Sequence, residues 1–428
     1  MRAYLFVLVY AAYLPLVLLT PFAGAMLWAW VSLMYPQTLT YGFVPFSYAA
    51  LIAILTLGSF VLSRERALPP ATATAWAMAL MILFCAIAYV DSYDRALSYV
   101  RWDTIWKGLL LALVTLPMLS SRLRLHGFVW IMALSIGFFG LKGGLFSFLT
   151  GGAYRVSGAE GTIIGDNNHL AVALIMAIPL IVYLAIHSAR AVVRLGCWIF
   201  AFFVLVAALF TYSRGGALAL AAMTGLLWLR SPHRMATLAV LAVFAAVALA
   251  FAPDALWARF GSIDEFRQDG SAMGRLAIWR VSLILASQHP LTGIGFQATA
   301  LPEVVLRVDP TVTPRAVHNS YLEVLVEAGI FAFLCHVVLI AATALYLRRV
   351  RRLTRDLPAW RWARDLAGLL QASLVGYMVG SFFISFAFYD GWWFLAVVAT
   401  ALQLLVRRAL DPPAAARGRQ TVRIAAAA

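Results

Sequence analysis

The chain contains twelve apolar runs that reach, or nearly reach, the length of a membrane-spanning helix. They lie at 4–20, 44–62, 72–90, 105–119, 127–149, 168–186, 194–212, 215–229, 235–252, 320–347, 366–388 and 390–406. A hydrocarbon core of about 30 Å needs roughly 20 consecutive helical residues. The chain is 63% hydrophobic and only 12% charged, which leaves more apolar surface than a soluble core could bury. We therefore predict an all-α, polytopic membrane protein with about twelve transmembrane helices.

Residues 22–35 are a further apolar stretch that does not fit this pattern. A span at this point would invert the topology of every helix that follows. We therefore interpret this stretch as a re-entrant or interfacial segment.

The basic residues give the predicted helices an orientation. They concentrate in alternate connections and in the tail, at 64–66, 122–124, 190–194, 230–234, 348–364 and 407–423. The short connections on the other side hold only Arg95, Arg101, Lys107, Arg155 and Arg214. The positive-inside rule then predicts a multi-pass membrane protein with both termini cytoplasmic. The same rule explains the net charge of +15, so nucleic acid is not a predicted partner.

One long polar segment, residues 253–319, interrupts the apolar pattern between predicted helices nine and ten. Long loops cross the membrane largely regardless of their charge, so we place this loop in the periplasm. Residues 274–287 carry a broad apolar face and predict a helix within the loop. His289-Pro290 should end that helix, and Gly293 and Gly295 should turn the chain.

Two polar stretches stand out as candidates for chemistry. Arg214, flanked by Ser213 and two glycines, lies at the outer junction of two spans, where a guanidinium suits phosphate oxygens. The alternative is an interfacial arginine that reaches toward headgroups. Arg275 lies near the start of the loop helix, with Arg280 further along, and would favour an anion there. The alternative is a solvated loop arginine paired with a nearby acid.

Two further stretches carry a base or a lone cation. His318 precedes Asn319 and Glu323 where the loop re-enters the membrane, so the imidazole could act as a general base. The alternative is a capped helix start with an interfacial histidine.

Lys142 lies within an apolar run and needs a partner. Arg155 and the polar run 166–169 follow it, where Asp166 and Asn167 either bind a ligand or cap a helix.

The sequence does not predict a metal or another cofactor. It contains no HExxH set, no P-loop and no GxGxxG after a strand. Asp91 and Asp94 resemble a divalent-metal motif only weakly. Arg214, Arg275 and His318 together suit one task at a membrane–water interface. The arginines could neutralise a lipid-linked diphosphate leaving group while the histidine deprotonates a hydroxyl acceptor.

These stretches resemble the O-antigen ligase and polymerase superfamily. Its recurring features are an S-R-G-G junction, an R-x-x-x-W helix start followed by P-x-x-G-x-G, and an H-N-x-Y-L-E return into the membrane. In this chain they are found at 213–216, at 275–279 with 290–295, and at 318–323. The order of the motifs within a many-span chain makes the resemblance specific.

The first half is similar to a narrower group, the putative O-glycosylation ligases associated with the exosortase A system. The matching stretches are 27–30, 130–151, 155–156 and 165–168. The resemblance implies an N-terminal transmembrane half at 1–190 and a catalytic core at 191–347 that includes the loop 253–319. C-terminal transmembrane helices at 348–410 and a disordered cytoplasmic tail at 411–428 would complete the chain.

The resemblance implies a glycosyltransferase of the ligase kind. A glycan on undecaprenyl diphosphate would pass to an acceptor hydroxyl on a protein, a lipid or a saccharide, without a metal and with inversion. His318 would be the base, and Arg275 and Arg214 would hold the diphosphate. Predicted substrate-binding residues are Asn319, Arg280, Ser213, Lys142, Arg155, Glu323, Asp166 and Asn167. Two alternatives stay open: a polymerase that joins lipid-linked repeat units, and a polysaccharide or lipid transporter or flippase.

Overall fold

A computed structural model of the chain describes residues 2–40, 47–64, 66–231, 233–235, 238–239 and 270–410. Within these residues the structure is helical, without a strand. The helices are α1 Arg2–Leu19, α2 Pro21–Met34, α3 Tyr48–Leu62, α4 Ala73–Val90, α5 Arg95–Met118, α6 Arg122–Leu149, α7 Asn167–His187, α8 Ala191–Phe210, α9 Arg214–Arg230, α10 Gly270–Gln288, α11 Pro302–Val305, α12 Ser320–Leu353, α13 Arg361–Gly380 and α14 Asp390–Leu410. Most of the predicted run at 235–252, the first part of the loop at 253–269 and the tail at 411–428 lie outside the described residues.

In the described part of the chain, seven helical segments are long and apolar enough to cross a membrane. They are Ala73–Val90, Arg122–Leu149, Asn167–His187, Ala191–Phe210, Ser320–Leu353, Pro358–Phe383 and Asp390–Leu410. The prediction of an all-helical, multi-pass protein is thereby confirmed. The count of twelve spans stays a prediction, because α1, α2, α3 and α9 are shorter and α5 carries several charges.

Burial distinguishes the central helices from the peripheral ones. The apolar window of α7 is 78% buried and that of α14 is 67% buried, whereas the window of α8 is only 28% buried. Exposed leucines and aromatic residues therefore cover the outer faces of peripheral helices such as α1 and α8, as expected of a surface that contacts lipid.

The segment interpreted as re-entrant or interfacial is helix α2. Only Thr20 separates α2 from α1, and Leu27, Trp28 and Val31 are buried. At 14 residues it is too short for a full span. Its burial against α3 and α6 argues against an interfacial position and favours a helix that enters the bundle.

The connections meet at the two ends of the bundle. At one end, which we call the site end, Asp91 accepts a hydrogen bond from Thr292, and Asn167 donates one to the carbonyl of Thr211. At the other end, His187 pairs with Asp365, and most of the arginines lie there.

Residues 289–319 and α10 form a small core of their own at the site end. Helix α10 confirms the helix predicted over 274–287, and it ends at Gln288, directly before His289-Pro290. Ile278, Val281 and Leu285 pack against Val304 and Val305 in this core. Leu276 and Leu283 are exposed instead, so only part of the predicted apolar face is buried.

Helix α12 is broken at Gly329, where φ is 77° and ψ is −179°. Among L-residues only glycine adopts this backbone readily. The backbone N–H groups of Ile294 and Gly295 donate to the carbonyls of Val326 and Glu327, at 2.9 and 3.1 Å. The glycine-rich turn after α10 therefore satisfies carbonyls that the broken helix leaves without helical partners.

Candidate functional site

His318 is held by contacts on both sides of its backbone. The indole Nε1–H of Trp279 donates to the carbonyl of Val317 at 2.8 Å. The backbone N–H of His318 donates to Ser385 Oγ at 2.9 Å. His318 itself adopts a φ of 52°, a left-handed conformation that is uncommon outside glycine. Strain of this kind persists only where the surroundings enforce it, and it concentrates at functional sites.

Positive charge lies beside the imidazole. Burial lowers the pKa of His318 to about 4, and the nearby Arg275 lowers it further than any other charged group. Arg315 acts in the same direction, while Asp166 opposes them. The Arg315 guanidinium lies against Gly274, where a Cβ would collide with it. Arg275, which the sequence predicts to bind a diphosphate, therefore lies near the predicted base His318. The lowered pKa leaves the imidazole without a proton at neutral pH.

The residues after His318 start helix α12. Asn319 Oδ1 accepts from the backbone N–H groups of Tyr321 and Leu322, at 3.0 and 3.1 Å. Ser320 Oγ donates to the carbonyl of Ile384. The capped helix start, which the sequence offered as the alternative to a base at this position, is therefore present, and His318 lies directly before it. Asn319 positions the helix start, and its carbonyl oxygen is already engaged.

A cavity of about 380 Å³ lies next to His318. Residues from both halves of the chain line it, among them Arg101, Asp166, His169, Glu323, Glu327 and Ser385. Ala316 also lines it, and Ser385 contacts the backbone of His318. The base therefore lies at the edge of a space large enough for a small ligand.

Glu323 forms an ion pair inside this cavity. Its Oε1 lies 3.4 Å from the Arg101 guanidinium, and its Oε2 accepts from the backbone N–H of Ala387 at 3.3 Å. Arg101 also lies over the ring of Phe388. Glu323, predicted as substrate-binding, thus has both oxygens engaged within the protein.

Asp166 and His169 form a second polar pair on the cavity wall. His169 Nδ1 lies 3.1 Å from Asp166 Oδ1, and its Nε2 lies 3.0 Å from the carbonyl of Ser385. Burial alone would raise the pKa of Asp166, but hydrogen bonds from His169 and Asn168 hold it well below its usual range. The imidazole of His169 therefore connects the first turn of α7 to the segment that contains Ser385 and precedes α14.

The S-R-G-G junction packs against the same region. Ser213 caps α9 by accepting from the Gly216 N–H at 3.1 Å, and Asn167 holds the Thr211 carbonyl at 2.7 Å. A Cβ at Gly215 would lie 3.0 Å from Phe383, two residues before Ser385. Arg214, the first residue of α9, therefore lies at the site end, with Ser213 and Asn167 as supports.

Of the predicted site residues, Asp166 and Glu323 line the cavity, whereas the predicted catalytic residues His318, Arg275 and Arg214 do not. Three further predicted residues lie outside the lining and are exposed. Lys142 is exposed on α6, Arg155 is exposed near Tyr212, and Arg280 is exposed near Asp309. Their predicted contact with substrate stays a prediction. Asp91 and Asp94 serve the fold instead, because Asp91 accepts from Thr292 and Asp94 caps α5.

The sequence interpretation missed Arg101 and Glu327 and assigned no role to His169. Arg101 and Glu327 are charged residues within helices that pack in the bundle, so the rule that singled out Lys142 applies to them equally. His169 had a signal as well, since it lies one turn after the capping residue Asp166.

Comparison with known families divides the chain in two. Residues 199–337 match the O-antigen ligase family, and this range contains Arg214, Arg275 and His318. Residues 1–189 match a family of unknown function (DUF5935). No curated protein matches the chain. The first match supports the O-antigen ligase superfamily and a membrane ligase or polymerase of the O-antigen class.

Proposed function

We propose that the protein is a membrane glycosyltransferase of the ligase kind. It transfers a glycan from undecaprenyl diphosphate to an acceptor hydroxyl at the periplasmic face of the bacterial inner membrane. The observation that carries this proposal is the half-buried His318, which adopts a positive φ, lies near Arg275 and is held by Ser385 of the cavity wall. The O-antigen ligase match over 199–337 supports the same reaction class.

In the proposed reaction, the acceptor hydroxyl attacks the anomeric carbon of the glycan while His318 takes its proton. The new bond joins the acceptor oxygen to that carbon. The bond from the anomeric carbon to the diphosphate breaks, and its electron pair leaves with the lipid diphosphate. Arg275 and Arg214 neutralise the developing charge, because a guanidinium matches phosphate oxygens through two parallel hydrogen bonds. A single displacement of this kind inverts the anomeric configuration.

The other predicted residues divide between binding and support. Ser213, Asn167 and Asn319 make hydrogen bonds to the backbone, so we propose that they position Arg214 and His318. Arg155 and Lys142 are exposed at or near the site end, where we propose that they contact the donor's lipid headgroup region or glycan.

The finer assignments rest on the sequence. The acceptor hydroxyl belongs to a protein, a lipid or a saccharide, since the shared motifs do not name the acceptor. The arginine-rich connections favour cytoplasmic termini. A polymerase would use the same residues, and the products distinguish it, because a polymerase gives a ladder of lengths on the lipid carrier. A transporter would give no covalent product.

The test is transfer in vitro by the purified protein. A lipid-diphosphate glycan is incubated with candidate acceptors, with and without EDTA, for wild type, His318→Ala and a control variant, His233→Ala. His233 is exposed and lies beyond α9 at the arginine-rich end. We expect wild type and the control to release lipid diphosphate with or without EDTA, and His318→Ala to release none although it purifies as a folded protein. Full activity of His318→Ala would refute the base, and no release by wild type from any donor would refute the transferase.

A further inference from the structure

Charged groups of both signs surround His318. Besides burial, Arg275 and Arg315 lower the pKa of its imidazole, and Asp166 opposes them. The neighbouring cavity is lined by three carboxyl groups, those of Asp166, Glu323 and Glu327, and by one arginine, Arg101. This acidic cavity therefore holds more acids than arginines, although Arg101 offsets Glu323 and His169 contacts Asp166.

One of the two carboxyl oxygens of Glu327 makes no hydrogen bond to the described residues. Its Oε1 accepts from the backbone N–H of Gln297 at 2.9 Å. Its Oε2 has no hydrogen-bond partner within the part of the chain that the structure describes, although the residue is only 4% exposed. Thr299 Oγ1, on the same cavity wall, is buried and likewise without a partner among the described residues. Buried polar atoms are almost always paired, so two such atoms at one cavity indicate a ligand with hydroxyl or amide groups.

Glu327 is also held in a fixed position. Its backbone carbonyl accepts from the Gly295 N–H, so the residue is tied to the 294–297 segment at both ends. The break at Gly329 follows directly. A carboxyl group held from both ends loses little freedom when it binds a ligand, which favours a specific contact.

We propose that this acidic cavity is the acceptor subsite, and that it takes an uncharged sugar unit, one hydroxyl of which donates to Glu327 Oε2. This inference rests on the proposed function, in which His318 deprotonates an acceptor hydroxyl. The Asp166 carboxylate repels an anionic sugar such as a uronic acid, whereas the charge of Glu323 is already offset by Arg101. The volume of about 380 Å³ lies near the lower end of the range for small-ligand pockets, as expected for a single sugar unit.

The experiment measures binding of three probes to the purified full-length protein in a detergent without a sugar headgroup. The probes are a methyl glucoside, a methyl N-acetylglucosaminide and a methyl glucuronide, each followed by saturation-transfer NMR. We expect wild type to bind at least one neutral probe, and the glucuronide about tenfold more weakly or not at all, because of the like charges nearby.

Variants at Glu327 identify the contact. Glu327→Gln keeps an acceptor oxygen at the same position, so it should retain the neutral probe. Glu327→Ala should lose about tenfold in neutral-probe affinity, the loss expected for one hydrogen bond to a buried polar group. Glu303→Gln is the matched control, because Glu303 is an exposed acid at the same end that does not line this cavity.

Each outcome decides the inference. Equal or tighter binding of the glucuronide, no binding of any probe, or a Glu327→Ala variant that binds the neutral probe as tightly as Glu303→Gln does would overturn it. The binding assay needs neither donor nor chemistry, so its result is separate from the transfer assay. Glu327-dependent binding together with a failed transfer assay would leave a sugar site and would overturn its role as acceptor subsite.

Discussion

The ion pair between Arg101 and Glu323 should dominate the stability of the site end. The charged groups lie 3.4 Å apart, and their side chains are only 18% and 4% exposed. With an effective dielectric constant of about 20, the Coulomb energy at this distance is about 5 kcal/mol. Desolvation offsets much of that energy while the pair is intact. Removal of one partner leaves the other charge buried, which typically costs about 3–5 kcal/mol.

Arg101→Met should therefore lower the free energy of unfolding by about 3–5 kcal/mol, because it leaves Glu323 as an unpaired buried carboxylate. Glu323→Gln should cost less, since Arg101 is the more exposed partner and still lies over Phe388. The double variant should be more stable than the sum of the two losses predicts, because it buries no unpaired charge.

The assay is reversible unfolding in mixed micelles for wild type, both single variants and the double variant. Arg95→Met is the control, because Arg95 is an exposed arginine at the start of the same helix. We expect the control to change the free energy of unfolding by less than about 0.5 kcal/mol. Strictly additive losses, or an Arg101→Met variant as stable as the control, would refute the argument that a paired buried charge holds the cavity together.

Two further predictions concern His318. Because burial and Arg275 lower the pKa of His318 to about 4, the imidazole is proton-free above that pH, so kcat/KM for lipid diphosphate release should fall only as the pH drops through about 4. Arg275→Gln removes a positive charge and should move this acid limb to higher pH; a limb that stays or moves lower would contradict the assigned cause. Trp279→Phe removes the hydrogen bond to the Val317 carbonyl. It should cost about 1 kcal/mol of stability and lower kcat with little change in KM, and an unchanged kcat would show that the Trp279 contact does not position His318.

The motif residues could be singled out from the sequence because each motif has a local physical requirement. The S-R-G-G motif needs glycines where α9 packs against Phe383 and Ala171. The glycine-rich turn needs Gly293 and Gly295 because both adopt a positive φ. Requirements of this kind are visible in one short stretch of sequence. Contacts between Trp279, Val317 and Ser385 bring the second and third motifs together.

The acidic cavity could not be predicted in the same way, because it depends on pairs that are distant in sequence. Arg101 and Glu323 are 222 residues apart in the sequence, and His169 and Ser385 are 216 residues apart. Each residue taken singly suggested an outer-loop cation or a helix cap. Only the three-dimensional arrangement shows that residues 1–189, which match a family of unknown function, contribute Arg101, Asp166 and His169 to the cavity beside His318.

The break in α12 links this arrangement to the membrane. Backbone groups without helical partners are tolerated at membrane depth only where protein or water covers them. The carbonyls of Val326 and Glu327 meet this condition because the 294–295 segment folds down onto them. That segment belongs to the polar region between α9 and α12, so it must approach the bundle from the aqueous side. The break at Gly329 therefore brings the polar 294–297 segment onto Glu327, and both contribute to the cavity beside His318.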